Sequence, residues 1–286
     1  MIFAWMERHV RQWPLSVMCQ VLEVSRSGYY AWIERPPSKR QERAMKLTEQ
    51  IRAAHEQSRG SYGSPRVTVD LNEAGVAVCE NTVAKLMRQA GIQVKAKRRY
   101  VPRTTDSNHE HPIAPNRLDR DFAASAPDRK WTCDITYVPS DQGWLYLAVV
   151  MDLFSRKIVG WSMREHLRSE LVSEALQMAI RRRRPGAGLL HHSDRGMQYA
   201  CGDYRDLLQE HGIQCSMSRR GNCYDNAVME SFFGTAKTEL VHHEHYATHQ
   251  QARQSLFEWI ECWYNRRRRH SSLGYLSPEA FEAKLN

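Results

Sequence analysis

Three acidic residues stand where acids are unexpected. Asp134 lies in the middle of "WTCDITY", an alternating stretch of strand character, and Asp194 follows the apolar pair Leu189-Leu190 in "GLLHHSD". Glu230 belongs to "DNAVMESFFGTAKTEL", in which Met229, Phe232 or Phe233, Ala236 and Leu240 recur at helical spacing. If the strand holding Asp134 pairs with the strand ending at Asp194, their carboxylates approach each other. A helix laid over the sheet then adds the third. Two carboxylates ~4 Å apart repel by roughly 4 kcal/mol at an effective dielectric near 20, so such a cluster requires protons or divalent cations. Oxygen-only donors favour Mg²⁺ or Mn²⁺ over zinc. Two such ions about 4 Å apart suit displacement at a phosphodiester, one serving the attacking oxygen and the other the leaving oxygen.

The elements needed to position these acids are legible. "KWTCDITYVP", "WLYLAVVMDLF" and "KIVGWSMRE" are rich in β-branched and aromatic residues and are separated by short turns, which predicts three strands joined by hairpins. "SELVSEALQMAIRRRR" then places Leu171, Val172, Ala175, Leu176 and Ala179 on one helical face. "GLLHHSD" is a fourth strand, "DYRDLLQEHG" a helix closed by glycine, and "IQCSMS" a fifth strand. The order β-β-β-α-β-α-β-α predicts an α/β class: a mixed five-stranded sheet with flanking helices.

The front of the chain has different grammar. Residues 14–34 and 44–56 read as helices, and "VTVDLNEAGVAVCENTVAKLMRQAGI" reads as helix, turn at Gly75, helix, with Val83, Leu86 and Met87 on the buried face. Two short helices with a glycine in the bend are helix-turn-helix grammar. They run into "KAKRRYVPR", where Lys95, Lys97, Arg98, Arg99 and Arg103 meet no acid, an arrangement suited to phosphates of a duplex. The expected division is an all-α helix-turn-helix region over 1–103, a linker over 104–128, and an α/β unit with a helical extension over 129–286.

Forty-one basic side chains against 32 acidic ones give +9 in 286 residues, and the first 129 carry 21 and 14 of them, so most of the excess lies in front. That favours a polyanionic partner. No apolar run reaches the eighteen or so residues of a membrane span. Seven cysteines, an odd number without a CxxC pair, and no secretory leader point to a reducing cytoplasm.

From Trp131 onward the sequence resembles the integrase-core transposases of bacterial insertion sequences, of the second-reading-frame type, within the ribonuclease H-like superfamily. The resemblance is carried by "WTCDITYV", "HHSDRGMQYA", "SMSRRGNCYDNAVMESFFGTAKTEL" and "YNRRRRHSSLGYLSPEAF", in that order. Asp194 and Glu230 have 35 residues between them, the family's spacing, and Lys237 matches its basic residue seven positions after the glutamate. "SRSGYYAW" and "YGSPRV…VAKLMRQAGI" resemble the helix-turn-helix region that precedes such a core. The resemblance implies divalent-metal-dependent DNA cleavage at insertion-sequence ends and strand transfer into target DNA. Asp134 would bridge two Mg²⁺ or Mn²⁺ ions, with Asp194 and Glu230 each holding one. It further implies double-stranded terminal repeats and target DNA as partners, a homo-oligomer for synapsis of two ends, a first-frame protein or frameshift fusion, and a bacterial cytoplasm on the nucleoid, with no membrane.

Secondary candidates have competing roles. Lys95, Lys97, Arg98 and Arg99, and the run Arg266, Arg267, Arg268 and Arg269, are expected at DNA phosphates; Arg181 to Arg184 suit the negative end of a helix. Asp152 is expected to cap a strand end or pair with Arg156, with a fourth metal oxygen as the alternative. Asp225 and Asn226 are expected to cap the helix of Glu230. His191 and His192 serve either structure or substrate, "VHHEHYATH" is a solvated loop rather than a metal tract, and Trp131, Trp144 and Trp161 belong to the core.

Overall fold

In a computed structural model, residues 2–95, 112–219 and 223–285 are described. The sheet is built from β1 (Lys130–Ser140), β2 (Gly143–Asp152), β3 (Ile158–Arg164), β4 (Leu190–Ser193) and β5 (Gln214–Met217), in spatial order β3-β2-β1-β4-β5. The first three strands form the antiparallel meander expected from their short turns, and β4 and β5 add in parallel. Thr132 of β1 stands opposite His192 of β4, so the first and fourth strands are neighbours as anticipated.

Both faces of this sheet are covered. Along β2, Leu147, Val149 and Met151 enter one core, while Ala148 and Val150 enter the other, which is the period-two alternation of a strand packed on both sides. The second core is closed by α7 (Ser169–Arg183), α8 (Met197–Ala200) and α9 (Gly202–Glu210). All five residues expected on the inner face of α7 are buried. Its approach to β3 is close: a Cβ added at Gly160 would lie 2.1 Å from the Ala175 carbonyl oxygen and 2.8 Å from the Ala179 Cβ.

The first core lies under α10 (Ala227–Glu239), α11 (His249–Phe257) and a π-helical segment, Glu258–Tyr264, which buries Trp259, Ile260, Trp263 and Tyr264. Sequence periodicity predicts one long helix here; the π-helical turn shifts its face, and Phe257 is left 47% exposed.

The front region holds α1 (Ile2–His9), α2 (Leu15–Val21), α3 (Arg26–Ile33), α4 (Lys39–Gln57), α5 (Ser64–Glu73) and α6 (Glu80–Gln89). A capping box at Ser38 and Gln41 starts α4. The α5–α6 pair is the expected helix-turn-helix, with Gly75 in the bend at φ +82°. Leu47, Ile51, Val67, Leu71, Val83 and Met87 do not form a core of their own; they belong to the same cluster as Met229, Trp259 and Trp263. Only α1–α3 gather around a separate set, Met6, Met18, Cys19 and Tyr29. At the far end, α12 (Pro278–Ala283) returns Glu282 to the sheet, where it pairs with Arg183 and Lys157. No helix among the described residues is long and apolar enough to cross a membrane.

Candidate active site

Each of the three acids is positioned by a different element. Asp134 projects from mid-β1, opposite Val149 of β2, and its Oδ1 accepts the Ile135 N–H at 2.8 Å. Asp194 follows β4 directly; its Oδ1 accepts the Gly196 N–H at 2.9 Å, closing a tight turn. A Cβ on Gly196 would come 3.0 Å from that same oxygen, so the glycine admits the carboxylate. Glu230 occupies the first turn of α10 and is solvent-exposed, while Met229, Phe232, Phe233 and Ala236 anchor the helix in the core.

The electrostatics tie them together. The Asp134 carboxyl is pushed well above its ordinary range, first by burial, then by the charge of Asp194, and further by Glu230; Lys237 acts in the opposite sense. Glu230, though its side chain reaches solvent, is also raised, by partial loss of hydration at the sheet. Lys237, two turns after Glu230, places its Nζ 4.9 Å from the centroid of the Tyr137 ring, a cation–π contact on β1. Burial lowers its pKa and Asp134 partly restores it.

The donor set is oxygen-only, which fits a hard divalent cation. Among the described residues, however, no three His, Cys, Asp or Glu side chains stand close enough to hold one ion together. The acids share a field at β1.

Behind the site a polar network fixes β4 and β5. The His192 ring nitrogens meet Ser216 Oγ at 2.9 Å and Ser218 Oγ at 3.0 Å, and Arg195 Nε donates to the Ser218 carbonyl at 2.6 Å. His191 meets the Tyr204 hydroxyl at 2.7 Å and Cys133 Sγ at 3.2 Å. Burial drives the two histidines down to about 3 and about 4 respectively, so both are neutral structural groups.

Several expectations need correction. Asp225 does not cap α10. It is fully buried, its oxygens accept from Arg219, Arg120, Asn116 and the Arg219 N–H, and the Arg219 bond leads in holding its carboxyl below the usual range. Asn226 holds the N-cap position without a capping bond; its Oδ1 accepts from Thr132 at 3.0 Å, locking the start of α10 onto β1. Asp152 takes the strand-end role and not the pairing with Arg156: at the end of β2 it accepts the N–H groups of Asp128 at 2.6 Å and Phe154 at 2.7 Å, and burial raises it to about 6. Trp144 is half-exposed.

The basic residues divide. Lys95 donates from Nζ to the Glu239 carbonyl at 2.8 Å, and so fastens the end of the front region to α10. Arg268 is buried and forks onto Glu239 at 2.7 to 3.0 Å. Arg269 binds Asp70 and Glu73 of α5. These three are occupied within the protein, contrary to their expected place at phosphates. Arg266 and Arg267 are exposed, Arg266 with Glu279 3.5 Å away, and Lys97, Arg98 and Arg99 lie outside the described residues. The asparagine and arginines that hold Asp225 were not anticipated, although "SRRGNCYDN" carries an acid amid cations as the one visible sign.

Comparison with known proteins agrees with this architecture. Integrase core domains match residues 124–223 and 211–278, and an HTH-like domain matches residues 42–100. The transposase InsF for insertion sequence IS3A of Escherichia coli (strain K12) is 43% identical over 286 residues, covering 99% of each chain. The chain belongs to the IS3-family integrase-core transposases. A 31 kDa protein of insertion element IS600 from Shigella sonnei is 46% identical over 94% of this transposase and 98% of its own length. A solved HTLV-2 integrase catalytic core domain, in complex with magnesium, overlaps 56% of the transposase and 99% of its own chain at 15% identity and TM-score 0.41. The reaction of the family is divalent-metal-dependent DNA cleavage and strand transfer, and the transposase has the matching order of a helix-turn-helix-like region followed by the core.

Proposed function

We propose that Asp134, Asp194 and Glu230 together hold two divalent cations, Mg²⁺ or Mn²⁺, at which the transposase nicks insertion-sequence ends and joins them to target DNA. The supporting observation is the shared field at β1, in which Asp194 and Glu230 both raise Asp134 while Lys237 opposes them. Bound cations would activate the attacking oxygen and stabilise the leaving one. In the first step water attacks the terminal phosphodiester: a new P–O bond forms, the P–O3′ bond breaks, and a 3′-hydroxyl is released. In the second, that hydroxyl attacks a target phosphodiester and another P–O3′ bond breaks, so one ester bond replaces another.

The protein's own groups position the strands. Lys237 holds a phosphate beside the acids, Arg266 and Arg267 face solvent for further phosphates, and Lys97, Arg98 and Arg99, next in sequence after the helix-turn-helix pair, add their charge to the duplex contact. The division at 1–103, 104–128 and 129–286 is retained as a division of labour. Synapsis of two ends requires a homo-oligomer, and a first-frame protein or a frameshift fusion is the proposed companion. The setting is the bacterial cytoplasm, on the nucleoid.

Asp194→Asn tests the assignment. Cleavage and joining should both vanish while binding of terminal-repeat DNA persists; equal loss of binding would remove Asp194 from the chemistry. Titrating Mn²⁺ while following thermal unfolding adds a readout independent of turnover, and the wild type should gain stability that Asp194→Asn does not. Cutting without joining on pre-nicked ends would instead indicate a nuclease.

A further inference from the structure

Across α10 from the three acids lies a cavity of about 360 Å³. Its cations come from three separate parts of the chain: Arg66 of α5, Arg156 from the turn between β2 and β3, and Arg268, followed by His270, near the C terminus. Ser231 and Thr235 of α10 and Ser271 and Ser272 add hydroxyls, and no Asp or Glu among the described residues lines it. Ser231 and Thr235 point about a third of a turn or slightly more away from the face shared by Glu230 and Lys237, so one helix borders both places.

The charge balance of this cavity is incomplete. Arg268 is neutralised by Glu239. Arg66 and Arg156 form no ion pair among the described residues; Arg66 rests on the Tyr62 ring, 5.5 Å from its centroid, and feels the charge of Glu239, which Arg268 already engages. Arg156 Nη1 and His270 Nε2 are buried without a hydrogen-bond partner among those residues. Asp152, the acid nearest in effect to Arg156, directs its oxygens at the N–H groups of Asp128 and Phe154. Burial lowers both free arginines, and His270 falls to about 3 through burial and then the charges of Arg268, Arg66 and Arg156, which shows how closely the cations gather. Half-buried cations without an ion pair destabilise a fold unless an anion joins them, and guanidinium forks match phosphate oxygens in particular.

We propose that this cavity is a phosphate-binding site in which Arg66 and Arg156 grip one phosphodiester of the DNA backbone. Only the source of the phosphate rests on the reading of the chain as a DNA-processing enzyme; the site itself does not. Because its walls come from the helix-turn-helix-like region, the sheet and the C-terminal segment, an occupied cavity registers that all three are docked on the DNA.

The test uses the full chain with inorganic phosphate and a random-sequence duplex. In phosphate the wild type should melt higher than in chloride of equal ionic strength, and it should broaden the phosphorus resonance of inorganic phosphate until duplex is added. Arg66→Gln and Arg156→Gln should melt higher than wild type in chloride, since each removes an uncompensated cation, and should lose the phosphate-dependent gain. Each should also reduce the slope of log affinity for the duplex against log salt by about one, as for a single lost phosphate contact. Phosphate binding that the duplex does not displace, with an unchanged slope, would keep the site but overturn the DNA source. Absence of phosphate broadening and stabilisation in the wild type would overturn the proposal, and needs no variant to fold. None of these measurements involves cleavage, so failure of the proposed reaction would be seen separately.

Discussion

At the scale of single residues, the site is shaped by unfavourable charge. Asp134 is partly buried beside two other acids, and the charge of Lys237 offsets it in part. Replacing Asp134 by Asn keeps the shape and removes the repulsion. In EDTA at neutral pH the variant should therefore be more stable than wild type, by on the order of 1–3 kcal/mol, while losing catalysis and the stabilisation by Mn²⁺. Urea unfolding with and without Mn²⁺ measures both; a variant less stable in EDTA would show that Asp134 serves the fold rather than the chemistry. The neighbouring arginines give a second lesson. Arg267 and Arg268 are adjacent in "RRRR", yet one is exposed and the other lies buried on Glu239, 29 positions away.

At the scale of elements, β3 and α7 meet through Gly160, where a methyl group would collide with the Ala175 carbonyl and the Ala179 side chain. Backbone and a buried alanine cannot swing aside, so Gly160→Ala should lower stability by about 1–3 kcal/mol or more, measurable as a reduced urea midpoint. Two buried histidines make a further prediction. His191 on β4 and His270 beyond the π-helical segment both fall to about 3. Unfolded histidine takes a proton near pH 6.5, whereas these stay neutral in the fold, so each withdraws stability as pH falls below 6.5, until about 3. The loss is about 1.4 kcal/mol per pH unit for each. Compared with wild type, His191→Gln and His270→Gln should each show a shallower decline in unfolding free energy between pH 6 and 4.5; parallel curves would refute the assignment. Much of this level was legible beforehand, because alternation in "WTCDITYV" and the apolar face of "SELVSEALQMAI" are local signals that burial merely ratifies. The π-helical turn was not, since one extra residue per turn leaves composition unchanged. Neither were Lys95, Arg268 and Arg269, because their partners, a backbone carbonyl for Lys95 and carboxylates for the arginines, are distant in sequence and an engaged cation reads like a solvated one. The three acids could be nominated from their settings, but not their separation, which depends on how α10 sits over β1.

At the scale of the whole molecule, the change in sequence grammar near residue 104 does not coincide with a change of core. Ile51, Val67 and Val83 from the front pack in one cluster with Trp259 and Trp263 from the back. Polar contacts seal the same seam: Arg269 to Asp70 and Glu73, Arg59 to Glu258, the Arg269 N–H to the Tyr62 hydroxyl at 2.7 Å, and Lys95 to α10. A shared core makes α4–α6 and the catalytic sheet one cooperative unit, whereas α1–α3, with four buried residues of their own, are a separable one. Deleting residues 1–37 should therefore leave a single sharp unfolding transition with a nearly unchanged midpoint. Deleting residues 1–111 should expose the apolar faces beneath α4–α6, strand Arg269 without its acids, and yield a protein that aggregates or melts without cooperativity. Calorimetry of the two truncations discriminates: a stable, cooperatively melting 112–286 fragment would mean that the helix-turn-helix-like region is a tethered module and not part of the wall that holds α10, and with it Glu230, against the sheet.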